Sequence, residues 1–313
     1  MEYSFEPCKV TASNMNALIK EHALLSERRI CELYELAVAA SDFSSSLIGD
    51  GFGIYEALSL IAEGYPAISD TAKSDLINRF NKNIFSLELF DKTVFSALYV
   101  EAIKKCGIDL TEEELFDIEE KPDQTFVYVK NTFADEAYDV FSQEFSDPRV
   151  RYAKNFREAL KMVSDGEVTY CLLPLEERGI RLSSISELIL QGDCKINSVT
   201  PVFGFDGAAD IKYALVSKHF CVPPLNKDDD RYFEIRIPSD ASPSVSDVLY
   251  ACERYGVTVY RVDTLPFTKD GERKKYFSIV LSGEGVDFSA LIVFLTLFVP
   301  DYTAVGMYKN LEF

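Results

Sequence analysis

Histidine is nearly absent from this chain: only His22 and His219 occur in 313 residues. That excludes a histidine-rich metal centre, and a Ser-His-Asp or Cys-His catalytic arrangement would have to use one of these two. His22 lies in a polar-flanked helical stretch and His219 closes a strand, so neither is expected to be catalytic. Cysteine is odd in number, with seven residues at 8, 31, 106, 171, 194, 221 and 252 and no CxxC pair. This spacing gives neither a zinc site nor a disulfide framework, and reads as reduced thiols that serve as small core residues. The start, MEYSFEPCKV, lacks a basic stretch followed by an apolar run, so no secretory leader is expected and the protein is expected in the cytoplasm. The most apolar window, Phe288–Val299, is about 12 residues long, too short to span a bilayer, where ~20 are needed. Basic residues are in deficit, 32 against 51 acids for a net charge of −19. A surface of that sign repels phosphate backbones and anionic lipid, so neither nucleic acid nor membrane is expected as a partner.

What is present is apolar content of 47%, enough for real cores in two or three domains. Over 1–120 the apolar spacing is helical. Asn16–Ala40 carries Leu18, Leu25, Ile30, Leu33, Leu36, Ala37 and Ala40 on one face, and the Ser/Gly-rich SDFSSSLIGDGFG is expected to break it. Ile54–Ala62, the stretch that follows a Ser69-Asp70 cap as far as Asn81, and Ser86–Cys106 read as further helices, and Thr111–Glu114 as a capping box. An α-helical bundle follows. After Lys121-Pro122-Asp123 the pattern changes to short apolar strands (125–130, 149–152, 169–175) alternating with helices (134–144, 156–164), which predicts parallel βαβ units. A helix over 183–191 and strands near 196–202 and 213–218 complete a compact α/β domain at 124–221. Val222–Asp230, with two prolines and a charge run, reads as a linker. Residues 231–313 follow a βαββαβ order, the ferredoxin-like topology. The expected fold class is therefore α+β and multidomain: helical bundle, small α/β domain, ferredoxin-like domain.

The stretch Phe156–Arg178, FREALKMVSDGEVTYCLLPLEER, resembles the "helix, Gly-x-Val-x-Tyr, strand, Pro-Ile-Glu-Asn-Ser" signature of the prephenate dehydratase family. The resemblance covers about 125–313. It implies a periplasmic-binding-like α/β lobe followed by an ACT regulatory domain, no cofactor and no metal, an amino acid or aromatic-pathway acid as ligand, and a homodimer through the ACT domain. Carried over position by position, Thr132 and Phe133 match the family's Gly-Thr-Phe motif, although its glycines are missing, and Thr132 is expected to cap the following helix. Pro174-Leu175-Glu176-Glu177-Arg178 stands for Pro-Ile-Glu-Asn-Ser, and Asp210-Ile211-Lys212-Tyr213 for Asn-Thr-Arg-Phe. In the ACT segment, Pro243, Ser244 and Val245 stand at the Pro-Gly-Ala-Leu motif, and Asp263 and Thr264 at Glu-Ser-Arg-Pro. The family-matched catalytic positions are thus Thr132, Glu176 and Lys212. The α/β ligand positions are Thr132, Phe133, Glu176, Glu177, Arg178 and Lys212, and the ACT positions are Pro243, Ser244, Val245, Asp263 and Thr264.

The chain departs from the family in three ways. Ile211 replaces the catalytic threonine and can neither donate a proton nor hydrogen-bond a departing hydroxyl. Glu177 puts a negative charge where a dianionic substrate would approach. Only about 35 residues separate Pro174 from Ile211, too few for the second lobe that closes the family's site. A chorismate mutase role for the helical bundle would suit the pathway, but Arg28, Arg29 and Arg79 do not match that family's arrangement. Three readings follow: a non-catalytic ligand-binding or regulatory relative, an active prephenate dehydratase, or a structural interaction module.

Overall fold

A computed structural model of the chain describes residues 12–63, 84–110, 124–204, 209–221, 231–241, 244–269, 272–283, 286–299 and 301–311, with backbone alone over 12–25 and at several element ends. The helix over 70–81, the capping box at Thr111, the boundary at Lys121, the linker over 222–230 and Pro243 lie outside the described residues.

The first helix, α1 (Ala12–Gly49), runs straight through the expected serine break. Serine disfavours helix interiors because its hydroxyl competes for the backbone, but here two buried hydroxyls have a use. Ser41 Oγ donates to the Val38 carbonyl at 2.8 Å, and Ser44 Oγ accepts from Tyr99 Oη at 2.7 Å. Tyr99 comes from α3 (Leu89–Lys105), so tertiary contact overrides local preference. The chain turns only at Gly51, whose φ of 101° is open to glycine. After α2 (Ile54–Glu63), α3 ends at Gly107, as expected from the sequence, at φ 84°.

From residue 124 on, β1 (Thr125–Tyr128), α4 (Thr132–Ser142), β2 (Arg149–Tyr152), α5 (Phe156–Ser164), β3 (Tyr170–Glu177), β4 (Ile180–Arg181), α6 (Ser183–Gln191), β5 (Lys195–Phe203) and β6 (Ala209–Ser217) follow in order. Then come β7 (Tyr232–Pro238), α7 (Val245–Arg254), β8 (Thr258–Lys269), β9 (Glu272–Ser282), α8 (Ser289–Phe298) and β10 (Thr303–Asn310). The ten strands of the described residues belong to one mixed sheet in the order β2-β1-β3-β6-β5-β10-β7-β9-β8, with β4 paired to β3. β1 runs parallel to β2 and β3, whereas β10-β7-β9-β8 are antiparallel throughout.

The sheet is continuous because β10 pairs in parallel with β5. Gly306 sits at that junction. A Cβ there would stand 2.9 Å from Ile196 Cβ and 3.0 Å from the Ile196 carbonyl oxygen, distances that need backbone movement. Gly306→Ala is therefore expected to destabilise the protein by about 1–3 kcal/mol through overpacking, read as a lower urea midpoint. An unchanged midpoint would mean that β5 and β10 separate without consequence.

Helix α8, SALIVFLTLF, is apolar all round, and a helix of that kind must be covered all round. The inner side meets the face of the sheet formed by Phe233, Ile235, Ile237, Ile279 and Leu281. The outer side is covered by α2 and α3, where Phe95 of α3 meets Phe298, and by Phe85 from the segment just before α3. Ser289 Oγ donates to the Leu110 carbonyl at 2.7 Å, and Tyr255 Oη to the Thr93 carbonyl at 2.9 Å. Helices α1–α3 thus form the outer layer of the C-terminal sheet. Under β3, β5 and β6, α5 and α6 build a second core, and α4 packs an aromatic third core on the opposite face. Among the described residues no helix is long and apolar enough to cross a membrane.

Candidate functional site

Strand β3 ends in Pro174-Leu175-Glu176-Glu177. Arg178 (φ 48°) and Gly179 (φ 76°) are both left-handed, the requirement of the two-residue turn that matches strand twist. The turn folds β4 back so that Arg181 lies opposite Glu176. On the other side of β3, β6 places Lys212 opposite Glu176 and Ile211 opposite Glu177. Arg261 reaches the same carboxylate from β8. The Glu176 side chain, mostly buried, thereby meets three cations: Arg261 Nη1 at 3.2 Å, Arg181 Nη1 at 3.7 Å and Lys212 Nζ at 3.7 Å. Arg261 also holds Asp263 through Nε and donates to the Gly179 carbonyl at 3.3 Å.

One layer deeper lies Glu234, with no exposed surface. On β7 the alternation sends Phe233, Ile235 and Ile237 to the helical layer and Glu234 and Arg236 to the opposite face. That second face is buried as well, because α6 and the β3–β4 hairpin cover it. Arg181 Nη2 contacts both Glu234 oxygens, at 2.6 and 2.7 Å. Ser278 Oγ (3.0 Å) and Tyr308 Oη (3.4 Å) donate to the same carboxylate. Arg181 Nε donates to Ser186 Oγ at 3.2 Å, and Arg236 Nη1 to the Ser186 carbonyl at 2.8 Å.

Burial alone would push the Glu234 carboxyl up, but Arg181 and then Arg236 outweigh it and hold the group below the usual carboxylate range. Burial likewise works against the charge on Arg181, and Glu234 more than restores it. Arg236 fares differently: burial dominates, Glu234 compensates only in part, Arg181 repels, and the guanidinium is pushed down to about 10. Arg236 has the Ser186 carbonyl at 2.8 Å, while its closest carboxylate oxygen, Glu234 Oε1, stands off at 3.8 Å.

The positions singled out in the sequence are distributed across the sheet. Glu176, Lys212 and Asp263 come together, linked by Arg261. Ile211 and Tyr213 join the core under α4 with Phe133, so alternation along β6 sends Lys212 to the other face. Thr132 and Phe133 therefore stand across the sheet from Glu176 and Lys212. Thr132 is exposed and does not cap α4: Asn131 does, its Oδ1 accepting from the Ala134 N–H at 3.0 Å. Asn131 has the extended backbone that an N-cap needs, whereas Thr132 is already inside the helix. Glu177 and Arg178 are exposed at the hairpin tip. Ser244 caps α7 in a reciprocal box with Asp247, and Val245 packs against the helical core. Thr264 is exposed on β8.

Arg181, Glu234, Arg236, Arg261 and Ser278 were not anticipated. A signal existed for two of them: opposite charges two apart on one face of an otherwise apolar strand, which β-periodicity alone assigns to solvent. Among the described residues no three His, Cys, Asp or Glu side chains are grouped to hold a metal ion. Ser278 Oγ stands beside the Glu234 carboxylate at 3.0 Å, but both are buried. The cluster's chemistry is charge compensation between β3, β4 and α6 on one side and β7–β9 on the other.

No protein-family model matches the chain, and no curated protein matches it by sequence. Among solved structures it is similar to prephenate dehydratase from Streptococcus mutans, at 13% identity and a TM-score of 0.48, over 60% of this chain and 99% of that one. It is similar to a quorum-quenching acylase described as of a novel type, at 15% identity and 0.46, over 60% and 95%. A third likeness is to prephenate dehydratase from Arthrobacter aurescens in complex with L-Phe, at 14% identity and 0.41, over 59% and 90%. Likenesses of this strength leave the chemistry to be argued from the site itself.

Proposed function

We propose that the chain is a non-catalytic, small-ligand-binding regulatory protein related to prephenate dehydratase. In this reading 1–120 is a helical domain, 124–221 a single dehydratase-like lobe and 231–313 an ACT domain. It works as a cytoplasmic homodimer whose ligand is an amino acid or an aromatic-pathway acid. The observation that supports the absence of catalysis is the state of Glu176, held by Arg261, Arg181 and Lys212 with Ile211 in the adjacent register position. A dianionic substrate needs cations free to receive it, and loss of its hydroxyl needs an acid at the leaving oxygen. Here Lys212 is already paired, and isoleucine has no proton to give. The ligand is assigned to the ACT-type positions, Pro243, Ser244 and Val245 with Asp263 and Thr264.

The test is a thermal-shift panel of amino acids and shikimate-pathway acids. A binder present at about 100 times its Kd adds about 2.7 kcal/mol, so a cognate ligand is expected to raise Tm by several degrees, and Ser244→Pro to abolish the rise. If no compound shifts Tm, the ligand-binding reading fails. A second reading then stands, in which the α/β segment is a structural brace; the buried Arg181–Glu234 pair across the two segments favours it.

A further inference from the structure

Arg261 is divided between two carboxylates. Its fork, Nε and Nη2, is taken by Asp263, two residues along on the same face of β8, with Nη2 donating to Oδ1 at 3.2 Å. Nη1 is left for the β3–β4 hairpin, where it meets Glu176 Oε1 at 3.2 Å and the Gly179 carbonyl at 3.3 Å. Glu176 is shared in turn. Of its three cations only Arg261 is within hydrogen-bond distance, since Arg181 Nη1 stands 3.7 Å from Oε1 and Lys212 Nζ 3.7 Å from Oε2. Asp263, Arg261, Glu176 and Lys212 thus form a line from β8 in the C-terminal segment to β6 in the α/β segment. Both ends of the line are open to solvent: the side chains of Asp263 and Lys212 are 25% and 30% exposed, against 11% for Glu176 between them.

We propose that this line is a relay through which an ammonium group bound at Asp263 frees Lys212. A guanidinium holds a carboxylate best through two parallel N–H bonds, and Arg261 has one fork for two carboxylates. An ammonium that neutralises Asp263 releases the fork. The fork then closes on both oxygens of Glu176, because a charge pair farther from water is the stronger one. Oε2 is thereby withdrawn from Lys212, whose ammonium becomes available to an anion. Arg261 is a positioning residue in this scheme, acting on Lys212 through Glu176. The trigger rests on the ligand reading above, in which Asp263 is one of the positions assigned to an amino acid.

The experiment measures, on the full chain, how fast Lys212 is acylated by a trace of isotope-coded acetic anhydride, with the exposed Lys161 of α5 as internal reference. Asp263→Asn removes the charge at that end of the line without any ligand. It is expected to raise the Lys212 rate about threefold, the size that goes with losing a partly exposed ion pair, and to leave Lys161 unchanged. In an Arg261→Met background the same Asp263→Asn change is expected to have no effect on Lys212. Should Arg261→Met fail to fold, Glu176→Gln gives the same reading, because the charge that draws the fork inward is gone. A Lys212 rate equal in the unaltered protein and in Asp263→Asn, or a rise that survives in either background, would overturn the relay. No ligand is added, so the two readings fail separately. A flat thermal-shift panel with a faster Lys212 would overturn the ligand reading alone, and a stabilising ligand with an unchanged Lys212 would overturn the relay alone.

Discussion

Glu234→Ala is expected to cost about 3–5 kcal/mol of folding free energy, the range for removing one partner of a buried ion pair. The size follows from what is left behind. Arg181 would lose both of its contacts at 2.6 and 2.7 Å, Arg236 the carboxylate 3.8 Å from its Nη2, and Ser278 and Tyr308 their acceptor. Two guanidiniums would then be buried with one mostly buried carboxylate, Glu176, within reach of Arg181 at 3.7 Å. Equilibrium denaturation in urea measures the loss, and a change under about 1 kcal/mol would show that water enters the layer freely. Replacing Arg181, Glu234 and Arg236 together by apolar residues of similar volume is expected to recover most of that stability, because the desolvation cost disappears with the charges.

The same pair gives a pH dependence. Glu234 has a folded-state value below its unfolded one, which is about 4.3 for a free glutamate. Its contribution is therefore fully present above that value and is lost as pH falls below it toward the folded value. Wild-type stability should fall away more steeply below about pH 4 than that of Glu234→Gln, which has no proton to take up at this position.

Phe298→Ala is expected to cost about 3–5 kcal/mol, the usual range for truncating a buried phenylalanine. Phe298 is 3% exposed and stands where three elements meet. Its ring centroid lies 6.3 Å from Phe95 on α3, 6.2 Å from Phe85 and 5.6 Å from Phe294, with Lys92 Nζ 5.3 Å from the ring. Truncation opens a cavity between α8 and the helical layer that rigid helices cannot close. Helices α1–α3 should loosen with it, and hydrogen exchange in α3 is the direct readout. Protection in α3 unchanged by Phe298→Ala would mean that the outer helices fold independently of the sheet they cover.

Much of the local structure was legible from periodicity. Phe156–Ser164, Ser183–Gln191 and Tyr232–Pro238 have the bounds that their patterns indicate, since amphipathic period and end signals are local properties. The continuation of α1 past Ala40 was not legible, because Ser44 is stabilised by a tyrosine 55 residues away. Nor was the β5–β10 pairing, which depends on a glycine at one register position. At the site, motif position alone pointed to Glu176 and Lys212, and they do meet. Their partners Arg181 and Arg261 escaped notice because a charge in a strand reads as solvent-facing until the second covering layer is known. Thr132 was named with them on motif grounds, and only the alternation along β6 separates it from them.

The central claim, that Glu176 and Lys212 hold the fold together instead of turning over substrate, is tested most directly by incubating the purified protein with prephenate and measuring phenylpyruvate. Formation is expected no faster than in a protein-free control at the same pH. Turnover at about 1 per second or more, in the range of ordinary enzymes, that is lost in Lys212→Ala while the variant remains folded, would contradict it.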